Sequence, residues 1–151
     1  MKKLIALVAT MFLALGLSAC SPEKQSVTIS DPWVRSSEYS AAAGGMTGIF
    51  AKLTNNTDKD ITLTGGTTDA AAMVQTHEVV GGMMQEVEGG LVIPAGETVT
   101  LEPGGLHVML MGLTNAIVAG DKIDFTFTFD DGSEQKFTLT AKPADGGDED
   151  Y

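Results

Sequence analysis

The chain contains only two histidines, His77 and His107, and both lie in methionine-rich sequence. Five of its eight methionines fall within a few residues of a histidine: Met73, Met83, Met84, Met109 and Met111. Thioether sulfur prefers Cu(I) to zinc or hard cations, and imidazole suits copper as well. Methionine also has no proton to lose, so such ligands keep working where thiolates would be protonated or oxidised. The clustering therefore indicates a site for a soft metal ion, Cu(I), rather than a catalytic centre.

The second histidine begins an alternating segment, His107-Val108-Met109-Leu110-Met111. On a β-strand His107, Met109 and Met111 share one face, while the two aliphatic residues between them point to the other. Successive residues on one face are about 7 Å apart. A metal ion could therefore take His107 and Met109 together, and Met111 is a candidate for a standby or supporting sulfur.

The first histidine is followed by a glycine pair, Gly81-Gly82, which suits a two-residue hairpin turn. Such a turn pairs Val79 with Met84, which places Met84 on the face of His77 and Met83 on the opposite face. A loop of three or four residues would reverse this choice. Both methionines therefore stay candidates, and the two-residue turn favours Met84.

The only cysteine, Cys20, ends a segment that is typical of an export signal. A positively charged start is followed by an apolar run, Leu4 to Leu17, and the sequence Leu-Ser-Ala-Cys resembles a bacterial lipobox. We therefore predict a signal peptide over 1–19 and a lipidated Cys20 with a short tether over 20–26. Acylation would anchor the protein to the extracytoplasmic face of the cell membrane.

A blue-copper centre is excluded, because it needs a cysteine ligand that the rest of the chain lacks.

Residues 27–142 are predicted to form one β-rich domain, a sandwich or small barrel, and 143–151 an acidic disordered tail. Trp33, the only tryptophan, is expected to fill its core. The formal net charge of −11 argues against nucleic acid and anionic membrane surfaces as direct partners. The predicted strands are Val27–Ser30, Gly45–Thr54, Ile61–Thr67, Met73–Val80, Met83–Glu88, Thr98–Leu101, His107–Gly112, Lys122–Phe129 and Glu134–Lys142.

These residues resemble the bacterial periplasmic copper chaperone family PCu(A)C. That family's motif is a histidine, a later methionine and a distant His-x-Met, and here 22 residues separate Met84 from His107. The stretches Asp31–Arg35, Ala42–Met46, Val87–Gly96 and Pro103–Leu113 also resemble it. The resemblance implies a cupredoxin-like Greek-key β-sandwich or barrel that binds one Cu(I). The ligands that it implies are His77, Met84, His107 and Met109.

The sequence departs from that family at two places. The insert between the first histidine and methionine is short, and Val79 stands where many members have an extra methionine. The C-terminal tail has neither histidine nor methionine, so we expect no second copper site. The four-ligand set is complete despite both departures.

The resemblance implies delivery of copper to a partner, the Cu(A) centre of cytochrome c oxidase or a Sco-type protein. We expect a monomer without enzymatic activity, because the chain shows no recognisable catalytic constellation. Two alternatives stay open. One is a lipoprotein that scavenges or stores copper without a specific recipient, and the other is a structural β-sandwich lipoprotein that binds no metal.

Overall fold

The computed structural model describes residues 25–38 and 44–143, and these residues form ten β-strands and no helix. This confirms the predicted all-β class. The strands are β1 Val27–Arg35, β2 Met46–Asn55, β3 Ile61–Thr67, β4 Ala71–Val80, β5 Met83–Glu86, β6 Leu91–Ile93, β7 Thr98–Leu101, β8 His107–Leu113, β9 Lys122–Phe129 and β10 Glu134–Lys142.

All ten strands belong to one sheet, in the order β5-β4-β8-β2-β1-β10-β9-β3-β6, with β7 paired to β2. The pair β1–β10 is parallel, and the other strand pairs are antiparallel. Buried side chains from the two halves of this strand order join one hydrophobic cluster. Examples are Ile49 of β2 and Val108 of β8 from one half, and Leu63 of β3 and Ile93 of β6 from the other. The sheet therefore folds over on itself, and its two inner faces share the core.

The hairpin of β4 and β5 forms as the glycine pair predicts. Gly81 and Gly82 have φ values of 61° and 81°. Two consecutive positive φ angles define a type I′ turn, whose twist matches that of the flanking strands. Val80 then pairs with Met83, and His77 with Glu86. The two-residue turn is confirmed, and with it the position of Met84 on the His77 face.

Two features of the strands are not predicted from the sequence. β6, Leu91–Ile93, lies where a loop was expected, and β1 runs on through Asp31-Pro32 to Arg35. The continuation is possible because the register with β2 shifts between Ser30 and Trp33, and Asp31 has a φ of 53°. This bulge accommodates a proline that would otherwise interrupt the strand.

Three sequence predictions fall on residues that the structure does not describe: the signal peptide, the lipidation of Cys20, and the tail from residue 144 onward. They stay predictions. Among the described residues, no helix has the length and apolar character needed to cross a membrane.

Candidate metal centre

The histidines and most of the methionines share one outer surface of the sheet, which we call the thioether face. It is formed by the neighbouring strands β5, β4, β8 and β2. Residues that pair directly across an antiparallel ladder lie on the same face, and alternate residues along each strand do so too. The opposite face carries core residues such as Val108 and Leu110, which are fully buried. The thioether face consists of Met46, Met73, His77, Met84, His107, Met109 and Met111.

The two histidines are direct partners on adjacent strands, although 29 residues separate them in the chain. Their ring centroids are 5.9 Å apart, with an angle of 44° between the ring planes. Metal–imidazole bonds are about 2.0 Å long. Both rings can therefore contact one ion placed between them.

His107 is held in one orientation by the loop that precedes β8. Its Nδ1 lies 2.9 Å from the carbonyl oxygen of Gly105, an acceptor, so Nδ1 carries the hydrogen and Nε2 keeps its lone pair. The side chain is 4% exposed. Burial lowers the pKa of His107, the Gly105 carbonyl opposes this, and the charges of His77 and Arg35 lower it further. A lowered pKa favours the neutral imidazole that a metal ion requires.

His77 is oriented by a chain of two hydrogen bonds. The amide Nε2 of Gln75 donates to Glu86 Oε2 at 2.8 Å, which turns the amide oxygen of Gln75 toward Nε2 of His77, 3.2 Å away. That oxygen can only accept, so Nε2 of His77 must donate. Nδ1 is then the nitrogen with the free lone pair, and this atom is buried without a hydrogen-bond partner. An unpaired buried nitrogen is costly unless something binds it.

Met109 lies beside the histidine pair and is 6% exposed. Its direct partners are Gln75 on β4 and Gly48 on β2. A Cβ atom at Gly48 would come within 2.8 Å of the Phe50 ring, so that ring lies over the glycine and beside Met109. Phe50 also packs near His107, with ring centroids 6.3 Å apart. The missing side chain at position 48 therefore allows an aromatic wall on one side of the site.

Trp33 extends this wall, and the expectation that it fills the core is wrong. It is half-buried and packs on Phe50 at 4.6 Å between ring centroids, with Lys142 Nζ 4.9 Å from its ring centre. The bulge in β1 shifts the register before this residue. Trp33 consequently pairs with Phe50 on the outer face, away from the core.

Met84 and Met83 lie on opposite faces of the hairpin, paired with Val79 and Val80. Met84 is 51% exposed and is the diagonal neighbour of His77 on the side away from Met109. Diagonal neighbours are about 7–8 Å apart, within reach of long side chains. Met83 is 74% exposed and points away from the histidines. The structure thus brings His77, His107 and Met109 together, and leaves Met84 at the open rim.

Three residues that shape the site are not predicted from the sequence: Gln75, Glu86 and Phe50. Gln75 could have been found by alternation, because it stands two residues before His77 on the same face. Glu86 follows from the hairpin register. No local sequence pattern indicates that Phe50 lies at the site, because its position beside His107 depends on the pairing of β2 with β8. In the described part of the chain, no group of three His, Cys, Asp or Glu residues could hold a metal ion.

This fold is that of a known class of protein, the cupredoxin-like PCuAC domain. The family model described as "Putative lipoprotein LpqE-like" matches residues 27–141. The chain therefore belongs to the LpqE-like family. The resemblance to the PCu(A)C proteins that the sequence suggested is confirmed.

Two relatives and two solved structures illustrate the match. "Putative lipoprotein Lxx21020" of Leifsonia xyli subsp. xyli is 36% identical over 99% of this chain and 96% of its own length. Protein RP573 of Rickettsia prowazekii is 24% identical over 76% of this chain and 65% of its own. The solution structure of CuI-DR1885 from Deinococcus radiodurans has a TM-score of 0.64 and 26% identity, covering 83% of this chain and 85% of that one. The copper-bound PCuAC domain from PmoF2 has a TM-score of 0.65 and 21% identity, covering 79% and 94%.

Proposed function

We propose that this protein is a copper chaperone that binds one Cu(I) through His77, Met84, His107 and Met109 and passes it to another protein. The family membership supports a copper chaperone, and two proteins of the same fold are described as copper-bound and as CuI-bound. In this role copper is the cargo. The protein supplies soft, neutral ligands and a fixed position, and it catalyses no reaction.

The observation that carries the proposal is the buried, unpartnered Nδ1 of His77. It lies on the ring that faces His107, whose Nε2 also keeps a lone pair because Nδ1 donates to Gly105. Two imidazole lone pairs on adjacent rings, beside the buried sulfur of Met109, form three donors of the kind that Cu(I) prefers. Hydrogen bonds to the remote nitrogens fix both rings, as is usual for metal-binding histidines.

Met84 supplies the fourth ligand and makes release possible. It lies at the exposed rim on β5, which pairs with β4 alone among the ten described strands, whereas His107 and Met109 lie on β8 between two neighbours. To reach the ion, the Met84 side chain must fold over His77. A recipient's sulfur or nitrogen ligand can replace this exposed thioether first, while the buried ligands still hold the ion.

We further propose that the recipient is the Cu(A) subunit of cytochrome c oxidase or a Sco-type protein. A lipidated Cys20 would hold the domain at the extracytoplasmic face of the membrane, where such a partner could meet it. The family description and the Leifsonia relative, both named as lipoproteins, support this anchoring.

The ligand set is tested by Cu(I) titration under reducing conditions, with X-ray absorption to identify the bound atoms. We expect one equivalent of Cu(I) to bind at the histidine pair with a mixed nitrogen and sulfur shell. Met84→Leu and Met109→Leu should each weaken binding. Met83→Leu is the matched control, because this neighbouring methionine points to the other face of the same hairpin. An all-oxygen shell, or equal effects of Met83→Leu and Met84→Leu, would contradict the assignment.

The delivery function needs a separate measurement. The copper-loaded protein is mixed with an apo Cu(A) domain, and the copper content of each protein is measured after separation. Transfer to the Cu(A) domain supports the chaperone. Retention of copper by this protein would indicate a storing or scavenging lipoprotein with the same ligands, and would refute delivery to that recipient.

A further inference from the structure

Three methionines lie side by side on the thioether face, beyond the proposed copper ligands. Met111 on β8 is the direct partner of Met46 on β2 and of Met73 on β4. The three form a row across adjacent strands, because direct partners in an antiparallel ladder share a face. We call these three residues the methionine row. Met111 follows Met109 on the same face of β8, so the row adjoins the histidine site.

The spacing allows the three sulfurs to meet. Adjacent strands are about 4.8 Å apart, so the backbones at Met46 and Met73 are roughly 9.6 Å apart with Met111 between them. Methionine has three rotatable bonds and no branch. The two outer side chains can therefore lean inward over Met111 and bring their thioethers to one point.

The exposure of the row is unusual for apolar side chains. Met46 is 50% exposed and Met73 is 53% exposed, while Met111 is partly buried between them. Neither Met46 nor Met73 belongs to the hydrophobic core cluster, and neither is among the partly buried side chains that pack against it. Of the six methionines in the described residues, five lie on the thioether face and only Met83 does not. Core packing therefore does not account for thioethers at these two positions.

We propose that Met46, Met73 and Met111 form a second site for a soft monovalent ion, Cu(I), with three thioether ligands. Three neutral sulfur donors without a carboxylate or imidazole favour Cu(I) over zinc and over hard cations. The row is about 7 Å from Met109, one step of two residues along β8. An ion bound at the row would thus be one step from Met109 and two steps from the histidine pair. The second site does not require that the histidine pair binds copper.

The experiment uses the full chain with Cys20→Ser, so that no thiol competes, and methionine labelled with carbon-13 at the methyl group. Ag(I) replaces Cu(I) as a soft probe without redox chemistry. We expect two saturable equivalents. One shifts the methyl signals of Met46, Met73 and Met111 together, and the other shifts those of Met84 and Met109.

The decisive variant is Met46→Leu combined with Met73→Leu, which removes two of the three sulfurs at exposed positions. It should bind one equivalent of Ag(I) fewer than the parent, while the Met84 and Met109 signals still shift. Met83→Leu is the control and should keep both equivalents. Parent and variants share Met1 and Met11, so any silver bound there cancels in the comparison.

Two results would overturn the second site: unmoved Met46 and Met73 signals at silver saturation, or equal silver binding by the double variant and the parent. If the row responds while the Met84 and Met109 signals do not, the second site stands and the ligand set of the proposed function fails. The two proposals are therefore tested separately by one titration.

Discussion

Gln75 provides a sharp test of how the site is built, because it contacts His77 but is not a proposed ligand. Its amide group bridges Glu86 and the Nε2 atom of His77, at 2.8 and 3.2 Å. Gln75→Leu removes this bridge while keeping a side chain of similar size. His77 is then free to rotate and to carry its hydrogen on either nitrogen. The variant should therefore bind Cu(I) more weakly while all four proposed ligands are present.

The size of the effect follows from the role of such supporting hydrogen bonds. Loss of a partner that orients a metal ligand costs about 10- to 100-fold in metal affinity, which corresponds to roughly 1.4–2.7 kcal/mol. The free energy of unfolding without metal should change much less, by about 0.5 kcal/mol or less, since Gln75 is only partly buried and its partner Glu86 is exposed. Affinity and stability should thus respond differently.

A matched control exists on the other face of the same hairpin. Gln85 donates from Nε2 to Glu78 Oε1 at 2.8 Å, a cross-strand Gln–Glu pair that does not contact the histidines. Competition with a chromophoric Cu(I) chelator measures the affinity of Gln75→Leu, Gln85→Leu and the parent, and urea unfolding measures their stability. We expect weaker copper binding in Gln75→Leu alone. Equal affinities of the two variants would refute the orienting role of Gln75.

Three further predictions concern stability, pH and the hairpin. Asn55→Ala should destabilise the fold by roughly 4 kcal/mol in urea unfolding, because the buried Asn55 amide makes four hydrogen bonds worth about 1 kcal/mol each. Asn56→Ala should cost clearly less, because its hydrogen bonds are exposed. Without metal, the contribution of His107 to stability should be present above pH 6.5 and be lost as the pH falls toward its lowered pKa. Urea unfolding at pH 7.5 and 5.5 checks this, and the free energies of unfolding at the two pH values should differ less in His107→Gln than in the parent. Cu(I) should slow amide hydrogen exchange in Met83–Glu86 more than in β8, and unchanged exchange there would argue against Met84 as a ligand.

Much of the site could be predicted because two local patterns determine it. The glycine pair at 81–82 fixes a two-residue turn, and the turn fixes which methionine shares the face of His77. Alternation along β8 puts His107, Met109 and Met111 on one face without reference to any other strand. Both patterns act over a few residues, so the sequence alone specifies them.

The rest depends on strand pairing over long distances, which no local pattern encodes. That His77 lies directly opposite His107 follows from the register of β4 with β8. The aromatic wall of Phe50 and Trp33 depends on a bulge in β1 and on the empty position at Gly48. The sequence at Asp31-Pro32 is typical of a turn, and only the register shift allows the strand to continue through it. Hence the sequence predicts Trp33 in the core, whereas the residue lies on the outer face.

The same long-range pairing explains why a copper site on this fold would both hold its ion and release it. The proposed ligands on β8 are almost fully buried, because β2 and β4 lie on both sides and Phe50 covers the flank. The proposed ligand on β5 is half exposed, because this strand ends the strand order and, within the described residues, pairs with β4 alone. Tight binding of the ion and access of a recipient to it therefore depend on different strands. β8 would fix the position of the ion, and β5 would set how readily a recipient displaces a ligand. Stiffening the edge strand should slow release more than it strengthens binding, since the buried ligands are unchanged.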